Sequence, residues 1–148
     1  MVINTKHFGE LQIPEENIIT FQDGIPGFIE YTKYVLINDE DEKSPFCWLQ
    51  SIEEPALTFA LINPFLVHKD YHPTLPTDQI EKLGEKVQEH YSILAIVNVP
   101  EDIEKITANL MAPIIINLKT KKGMQIILDS DKYPVKYYLF EHIQNKSK

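Results

Sequence analysis

A few side chains in this sequence have the chemistry that catalysis or metal binding requires. His68 and His72, with Asp70 between them, have the i, i+4 spacing that places two metal ligands on one face of a helix. Pro73 and Pro76 argue against a helix here, because proline has no N–H to donate and clashes with the preceding turn. The sequence shows no third ligand. We therefore expect neither a metal site nor any other cofactor.

The nucleophiles and acids of the chain give an equally weak catalytic pattern. Cys47 is the only cysteine, and its apolar neighbours favour a buried, unreactive thiol over a thiolate nucleophile. None of the 22 acidic residues is marked by its neighbours as one of a buried pair with unequal pKa values. Phosphate-binding loops, dinucleotide fingerprints and serine elbows are absent from the sequence. These patterns predict a protein that is not an enzyme.

Charge is a second informative feature. The net charge is -8, and all 14 basic residues are lysines. Arginine supplies the planar fork that binds phosphate and guanine edges, so its absence on an acidic background argues against direct contact with nucleic acid. Acidic clusters steer basic partners, and such association weakens as salt rises. We expect a basic protein partner, while the ordinary role of any single acidic cluster is a solvated surface.

Length and composition predict one globular domain over residues 1–148. Apolar residues make up 43% of the chain and charged residues 24%, which is typical of a folded protein. The N-terminal residues lack the apolar stretch of a signal peptide. The longest apolar run, Ile93–Val97, is far shorter than the ~20 residues of a membrane helix. We expect a cytoplasmic protein without membrane contact that is a monomer on its own.

Short segments rich in Ile, Val, Tyr and Phe alternate with proline and glycine turn signals along the chain. Because proline cannot donate to a strand ladder, its ten occurrences separate the strands. The predicted strands are 2–6, 10–13, 18–21, 34–37, 46–51, 58–62, 92–99, 114–118, 124–128 and 135–140. This pattern predicts a mainly β fold, namely an antiparallel β-barrel or sandwich of short strands with one or two short helices.

Helix signals occur mainly in the middle of the chain. Asp78 and Glu81 have the spacing of a capping box, which predicts an amphipathic helix over 78–89. Gly84 interrupts this helix and is expected to end it early. A short helical turn that runs into irregular chain is expected over 101–110.

The phrase Gly24–Phe28 predicts a rigid corner. Pro26 presets the first central φ of a type II turn, and Gly27 supplies the positive φ of the second central position. Phe21 and Phe28 are expected to anchor this corner in the core.

In a strand over Phe46–Ser51, the alternation of side chains would send Phe46, Trp48 and Gln50 to one face and Cys47, Leu49 and Ser51 to the other. An indole needs both apolar contact and a hydrogen-bond acceptor, so we expect a half-buried Trp48. Plain packing and a binding hot spot are both consistent with such a position.

Asn109 and Asn117 lie close to an apolar run, and we expect their side chains to bind turn backbone and fix the strand register. The hairpin Lys119–Gly123 is the only concentrated basic patch. A lysine-rich turn usually discourages strand pairing at an edge, and we do not interpret it as a nucleic-acid site.

Three phrases in chain order, Gly24–Phe28, Pro45–Ser51 and Ile106–Asn117, together with Gln125–Leu128, resemble the flagellar assembly factor FliW family. The resemblance covers nearly the whole chain. It implies a non-enzymatic regulator that binds and antagonises CsrA, an RNA-binding translational repressor, and that also binds flagellin. In such a partner switch, the regulator sequesters CsrA and so releases flagellin mRNA for translation. Accumulating flagellin then captures the regulator and frees CsrA again.

The resemblance does not by itself locate the contact surfaces. We expect CsrA to contact the acidic turn after the Trp48 strand, with a second acidic cluster as a steering patch. Flagellin is expected to occupy a hydrophobic groove near Tyr137, Tyr138 or Phe140. The candidate partner-binding residues are Asp39, Glu40, Asp41, Glu42, Trp48, Glu53, Glu54 and Tyr138.

Two other function classes stay open at this point. A small-ligand-binding β-barrel would use Trp48, Tyr137 and Tyr138 to line a deep apolar pocket. A hydrolase would need two buried carboxylates that face each other across a cleft.

Overall fold

The computed structural model describes residues 1–41, 43–84, 91–128 and 132–140. Within these ranges the chain forms eleven strands in two sheets. The strands are β1 (Val2–Thr5), β2 (Gly9–Gln12), β3 (Ile19–Thr20), β4 (Lys33–Asn38), β5 (Phe46–Ser51), β6 (Thr58–Ile62), β7 (Tyr91–Asn98), β8 (Thr107–Ala108), β9 (Ile114–Asn117), β10 (Lys122–Gln125) and β11 (Tyr137–Tyr138).

Helical segments in these ranges are short. The α-helical turns with defined bounds are α1 (Pro64–Val67) and α2 (Thr77–Ile80), and Leu139 and Phe140 are α-helical as well. Turns of 3-10 helix occupy Glu15–Asn17, Glu81–Leu83 and Ile103–Lys105. The last of these confirms the helical turn expected within 101–110, but the chain after it contains strand β8 and is not irregular throughout as expected.

Seven strands close into a barrel in the order β7, β6, β5, β4, β3, β10 and β9, because β9 pairs back with β7. The predicted mainly β fold is confirmed, and its form is a barrel. One seam departs from the antiparallel pattern that the sequence predicted: β3 and β10 are parallel where Thr20 pairs with Lys122. The hairpin β1–β2 forms a separate sheet, and β8 and β11 extend from β7 outside the ring.

Apolar side chains fill the barrel interior. The alternation of β5 is confirmed, because Leu49 is fully buried while Trp48 is only half-buried on the opposite face. Side chains from neighbouring strands join Leu49 in one buried cluster, as expected for a small barrel. Its fully or nearly fully buried members are Ile19, Phe21, Ile25, Tyr34, Leu49, Leu61, Leu94, Ile114 and Ile116.

Two further apolar clusters cover the outside of the barrel. The β1–β2 hairpin contributes Ile3, which packs with Ile13 and with Val35 of β4. A larger cluster lies over β6, β7 and β9, and there Val67 of α1 and Leu83 pack among the strand side chains. The barrel wall is therefore buried on both faces over much of its circumference.

The corner at Gly24–Phe28 forms as predicted. The N–H of Phe28 donates to the carbonyl of Ile25 at 2.7 Å, and Gly27 has φ of 90°. Phe21 is fully buried, but Phe28 is 38% exposed, so its predicted role as a core anchor is wrong. Its ring instead packs edge-on against Phe59 near the mouth of the barrel, with centroids 5.4 Å apart.

The predicted capping box is also wrong. The helical turn α2 begins at Thr77 with Pro76 at the N-cap, and no side chain caps it. Asp78 therefore lies inside the first turn. There its carboxylate interacts favourably with the positive end of the helix dipole, but it does not cap a backbone N–H group. Gly84, with φ of 102°, ends the following 3-10 turn as expected. The rest of the predicted helix, 85–89, lies outside the described residues.

Two predicted strands near the C-terminus have the wrong bounds. The strand β10 ends at Gln125, and the buried side chains of Ile126 and Leu128 belong to irregular chain. Their N–H groups donate to the carbonyls of Pro113 and Met111, outside any ladder. The predicted strand 135–140 is reduced to the two residues of β11.

The corner supplies a test of steric constraint. A Cβ on Gly24 would lie 2.5 Å from the Cα of Ile29, whereas a Cβ on Gly27 meets open space, although both glycines have positive φ. We expect Gly27→Ala to lower the free energy of unfolding by about 1 to 2 kcal/mol. Gly24→Ala should cost at least about 1 kcal/mol more, because backbone must move. Urea unfolding followed by circular dichroism measures both, and equal losses would contradict the clash.

Candidate functional site

Glu53 connects two loops at one end of the barrel. Its Oε1 accepts hydrogen bonds from the backbone N–H groups of Thr32, at 2.7 Å, and Lys33, at 2.9 Å. These two bonds, first that of Thr32 and then that of Lys33, hold the pKa of the Glu53 carboxyl below its ordinary value. Glu53 thus fastens the start of β4 to the β5–β6 turn.

Buried polar side chains fix the shape of the β5–β6 turn. Ser51 Oγ accepts from the N–H groups of Glu53, at 3.2 Å, and Glu54, at 3.0 Å. Gln50 is fully buried, and its side-chain carbonyl accepts from the hydroxyl of Thr58 across the strand pair. These bonds hold the backbone of the turn in one conformation. The position of Glu54 is therefore well defined, because its own N–H is one of the donors.

The other acidic cluster builds the β4–β5 turn. Asp39 Oδ1 accepts from the N–H of Asp41, and Asp41 Oδ1 accepts from the N–H of Lys43, each at 3.0 Å. Glu40 is exposed, and Glu42 lies outside the described residues. This turn is at the opposite end of β5 from Glu54, roughly 17 Å away along six residues of strand. The two acidic clusters therefore do not form one surface.

The two aromatic candidates lie far apart in the sheet. The Trp48 ring packs edge-on against Phe8 of the β1–β2 turn, with centroids 5.8 Å apart. Tyr138 is 41% exposed on β11, which is separated from β5 by three other strands. The structure does not bring Trp48 and Tyr138 together.

An aromatic cluster of His68, Tyr71, Tyr133 and Tyr137 lies outside the barrel wall, and no sequence pattern predicted it. The hydroxyl of Tyr71 donates to the carbonyl of Leu110 at 2.7 Å, and that of Tyr137 donates to Val67 at 3.0 Å. The ring of His68 lies 5.2 Å from that of Tyr137. His68 is thus part of a packed cluster, and the described residues contain no group of three potential metal ligands.

The larger surface clefts differ from the pocket expected of a ligand-binding barrel. A cleft of about 470 Å³ lies outside the barrel wall, between Phe65, Leu75 and Ile93. Neither Trp48 nor Tyr138 is among its described lining residues. A second cleft of about 350 Å³ lies between the Gly24–Phe28 corner and α2 and has a mixed polar and apolar lining.

A third cleft combines apolar and acidic side chains beside the β5–β6 turn. It has a volume of about 320 Å³ and separates that turn from the loop after the Pro26–Gly27 corner. We call it the Phe28 shelf, and its lining residues are Gly27, Phe28, Glu30, Tyr31, Glu54, Ala56 and Leu57. Of these residues, only Glu54 was predicted from the sequence to contact a partner. The others could not be grouped with it, because the loop and the turn are more than 20 residues apart in the sequence.

Cys47 of β5 is half-buried beside the interior cluster. Burial raises the pKa of its thiol to about 11. The predicted unreactive thiol is consistent with this shift, because the thiolate is the reactive form.

Together, the fold and these surfaces define a small closed β-barrel protein with a filled interior and open clefts on its outside. Within the part of the chain that the structure describes, no helix has the length and apolarity needed to cross a membrane.

Comparison with known proteins gives one consistent result. The family model described as FliW protein matches residues 2–139. The flagellar assembly factor FliW of Alkaliphilus metalliredigens is 49% identical over 144 residues, which cover 97% of this chain and 89% of the relative. That of Caldicellulosiruptor saccharolyticus is 43% identical and covers 97% of this chain and 93% of the relative.

A solved structure agrees with these matches. The crystal structure of a flagellar assembly factor FliW superposes with a TM-score of 0.87 and 38% sequence identity, and the match covers 95% of this chain and 97% of that chain. The chain therefore belongs to the FliW family, which confirms the resemblance of its sequence phrases.

Glu53 supplies a test of pH-dependent stability. A carboxyl whose pKa is lowered by folding stabilises the fold above its unfolded pKa, and this stabilisation is lost as pH falls through the folded pKa. We expect the unmodified chain to lose stability more steeply than Glu53→Gln between about pH 5 and pH 3. Glu54→Gln is the matched control and should follow the unmodified chain in urea titrations. Parallel curves for all three proteins would contradict the role of Glu53.

Cys47 supplies a test of thiol reactivity. The thiol pKa of about 11, against the ordinary 9.0, is two units higher, so the thiolate fraction at pH 8 is about 100-fold lower than in an unfolded chain. Because a thiolate of higher pKa is also the stronger nucleophile, we expect iodoacetamide to alkylate the folded protein about tenfold or more slower than the protein in urea, measured by mass spectrometry. Equal rates for the folded protein and the protein in urea would contradict the burial of the thiol.

Proposed function

We propose that this protein is a flagellar assembly factor that acts as a partner switch. As a monomer it binds and antagonises the translational repressor CsrA, and it also binds flagellin, so that flagellin synthesis is coupled to export. The observation that carries this proposal is membership of the FliW family over residues 2–139. Relatives at 49% and 43% identity are named flagellar assembly factors.

The charge of the chain supports a basic protein partner over nucleic acid. The net charge of -8 and the absence of arginine disfavour an RNA backbone and favour a cationic surface such as that of an RNA-binding protein. A direct block of RNA and an allosteric effect on CsrA are both compatible with this charge. Either mechanism requires that the binding of CsrA changes the free energy of flagellin binding, and the reverse.

Titration calorimetry tests the switch. The purified protein is titrated with CsrA and with flagellin from the same bacterium, and each titration is repeated after saturation with the other partner. We expect binding to each partner alone and at least about fivefold weaker binding in the presence of the other, because coupling free energies are typically about 1 to 3 kcal/mol. The reciprocal experiments should give the same factor.

Two results would contradict the proposal. The first is no heat together with no comigration on a sizing column at tens of micromolar protein. The second is binding of both partners with unchanged affinity in the presence of the other, which would show two independent sites and no switch.

A further inference from the structure

The Phe28 shelf has an apolar floor that is open to solvent. Phe28 is 38% exposed although its ring packs against Phe59, and Ala56 is exposed beside it. Tyr31 and Leu57 are partly buried and pack against the interior cluster, so the floor continues into the barrel core. An apolar floor of this kind accepts an apolar side chain of a partner more readily than it holds water.

Carboxylates surround this floor. Glu30 is exposed on one wall and Glu54 is half-buried on the other, and the structure records no hydrogen bond or ion pair for either carboxylate among the described residues. Glu53 lies next to Glu54 and is held in its charged form by its two backbone bonds. The cation of Lys33 donates a hydrogen bond to Thr20 Oγ1 at 3.0 Å, and its charge also lowers the pKa of Glu53. Lys33 therefore offsets part of the charge of Glu53, while Glu30 and Glu54 have no recorded cation partner among the described residues. The rim of the shelf is therefore negative.

The two walls of the shelf are fixed relative to each other. Glu53 in the turn binds the backbone of Thr32 and Lys33, which directly follow the opposite wall. The corner before that wall is restrained as well, because the backbone of Ile29 approaches Gly24 too closely to admit a side chain. A binding surface that is already ordered loses little conformational entropy when a partner docks.

We propose that the Phe28 shelf is the docking surface for a partner segment in which an apolar side chain is flanked by lysine or arginine. The apolar side chain occupies the floor, and the flanking cations lie beside Glu30 and Glu54. This inference rests on the proposed function and commits to the repressor as the occupant, because its RNA-binding role requires a cationic surface. The cleft, at about 320 Å³, accommodates single side chains rather than a whole helix face.

Paired variants test this inference by titration with purified CsrA from the same bacterium. Glu30→Lys and Glu54→Lys reverse charges on the rim, and Glu40→Lys reverses an exposed charge at the other end of β5. We expect each rim variant to weaken binding about tenfold or more and to flatten its salt dependence. Glu40→Lys should change affinity much less, because it alters only long-range attraction.

A second pair of variants tests the floor at exposed positions, so that no buried side chain is changed. Ala56→Phe adds a ring to an exposed position on the shelf, whereas Ile29→Ala removes apolar surface from a 69% exposed residue that lines the neighbouring cleft. We expect Ala56→Phe to weaken CsrA binding about tenfold or more and Ile29→Ala to leave it unchanged. Thermal melting of every variant checks that the fold is intact.

The outcomes separate this inference from the proposed function. If the unmodified chain binds CsrA and the rim and floor variants bind equally well, the shelf is not the docking surface and the proposed function stands. If the shelf variants lose flagellin and retain CsrA, the assigned occupant is wrong. If the unmodified chain binds neither protein, both the proposed function and the occupant assigned to the shelf are overturned.

Discussion

Closure of the barrel at the seam between β3 and β10 is the constraint on which the rest of the structure depends. The two strands meet at a single residue pair, and the N–H of Thr20 donates to the carbonyl of Lys121 at 2.9 Å. Lys121 has φ of 58°, and a Cβ on Gly123 would lie 2.6 Å from the ring of Phe21. The seam thus closes only because a residue without a side chain lies against a fully buried ring.

The hairpin that reaches this seam is held by Asn117. Its Oδ1 accepts from the N–H groups of Lys119, at 2.9 Å, and Thr120, at 3.1 Å, and its Nδ2 donates to Leu83. The basic turn is therefore part of the closure of the barrel. Its predicted role at an edge that discourages strand pairing is wrong, because Lys122 pairs with both Asn117 and Thr20. Because a closed barrel of this size is filled by its own side chains, binding must use the ends or the outside of the wall.

Sequence patterns predicted the middle of the sheet well and its margins poorly. The bounds of β5 and β6 were predicted correctly because each is a short run of β-forming residues between proline-containing turns. The helical turn α1 was missed, although Asn63 accepts a bond from the N–H of Phe65 and Pro64 follows it at the first helical position. A four-residue helix has no periodicity to detect. The parallel seam was beyond prediction because it joins residues a hundred positions apart.

The residues of the candidate surface were likewise predicted only in part, because their types can be read from the sequence but their neighbours are set by contacts between distant segments. The sequence identified acidic residues, but it did not distinguish carboxylates that hold the fold together from those available to a partner. Glu53 and Asp39 are acceptors for backbone N–H groups, and those of Glu53 lie 20 and 21 residues away. Glu30 and Glu54 become neighbours only through the turn that Glu53 fastens. The net charge therefore predicts the sign of a partner, whereas the fold decides which of the carboxylates can meet it.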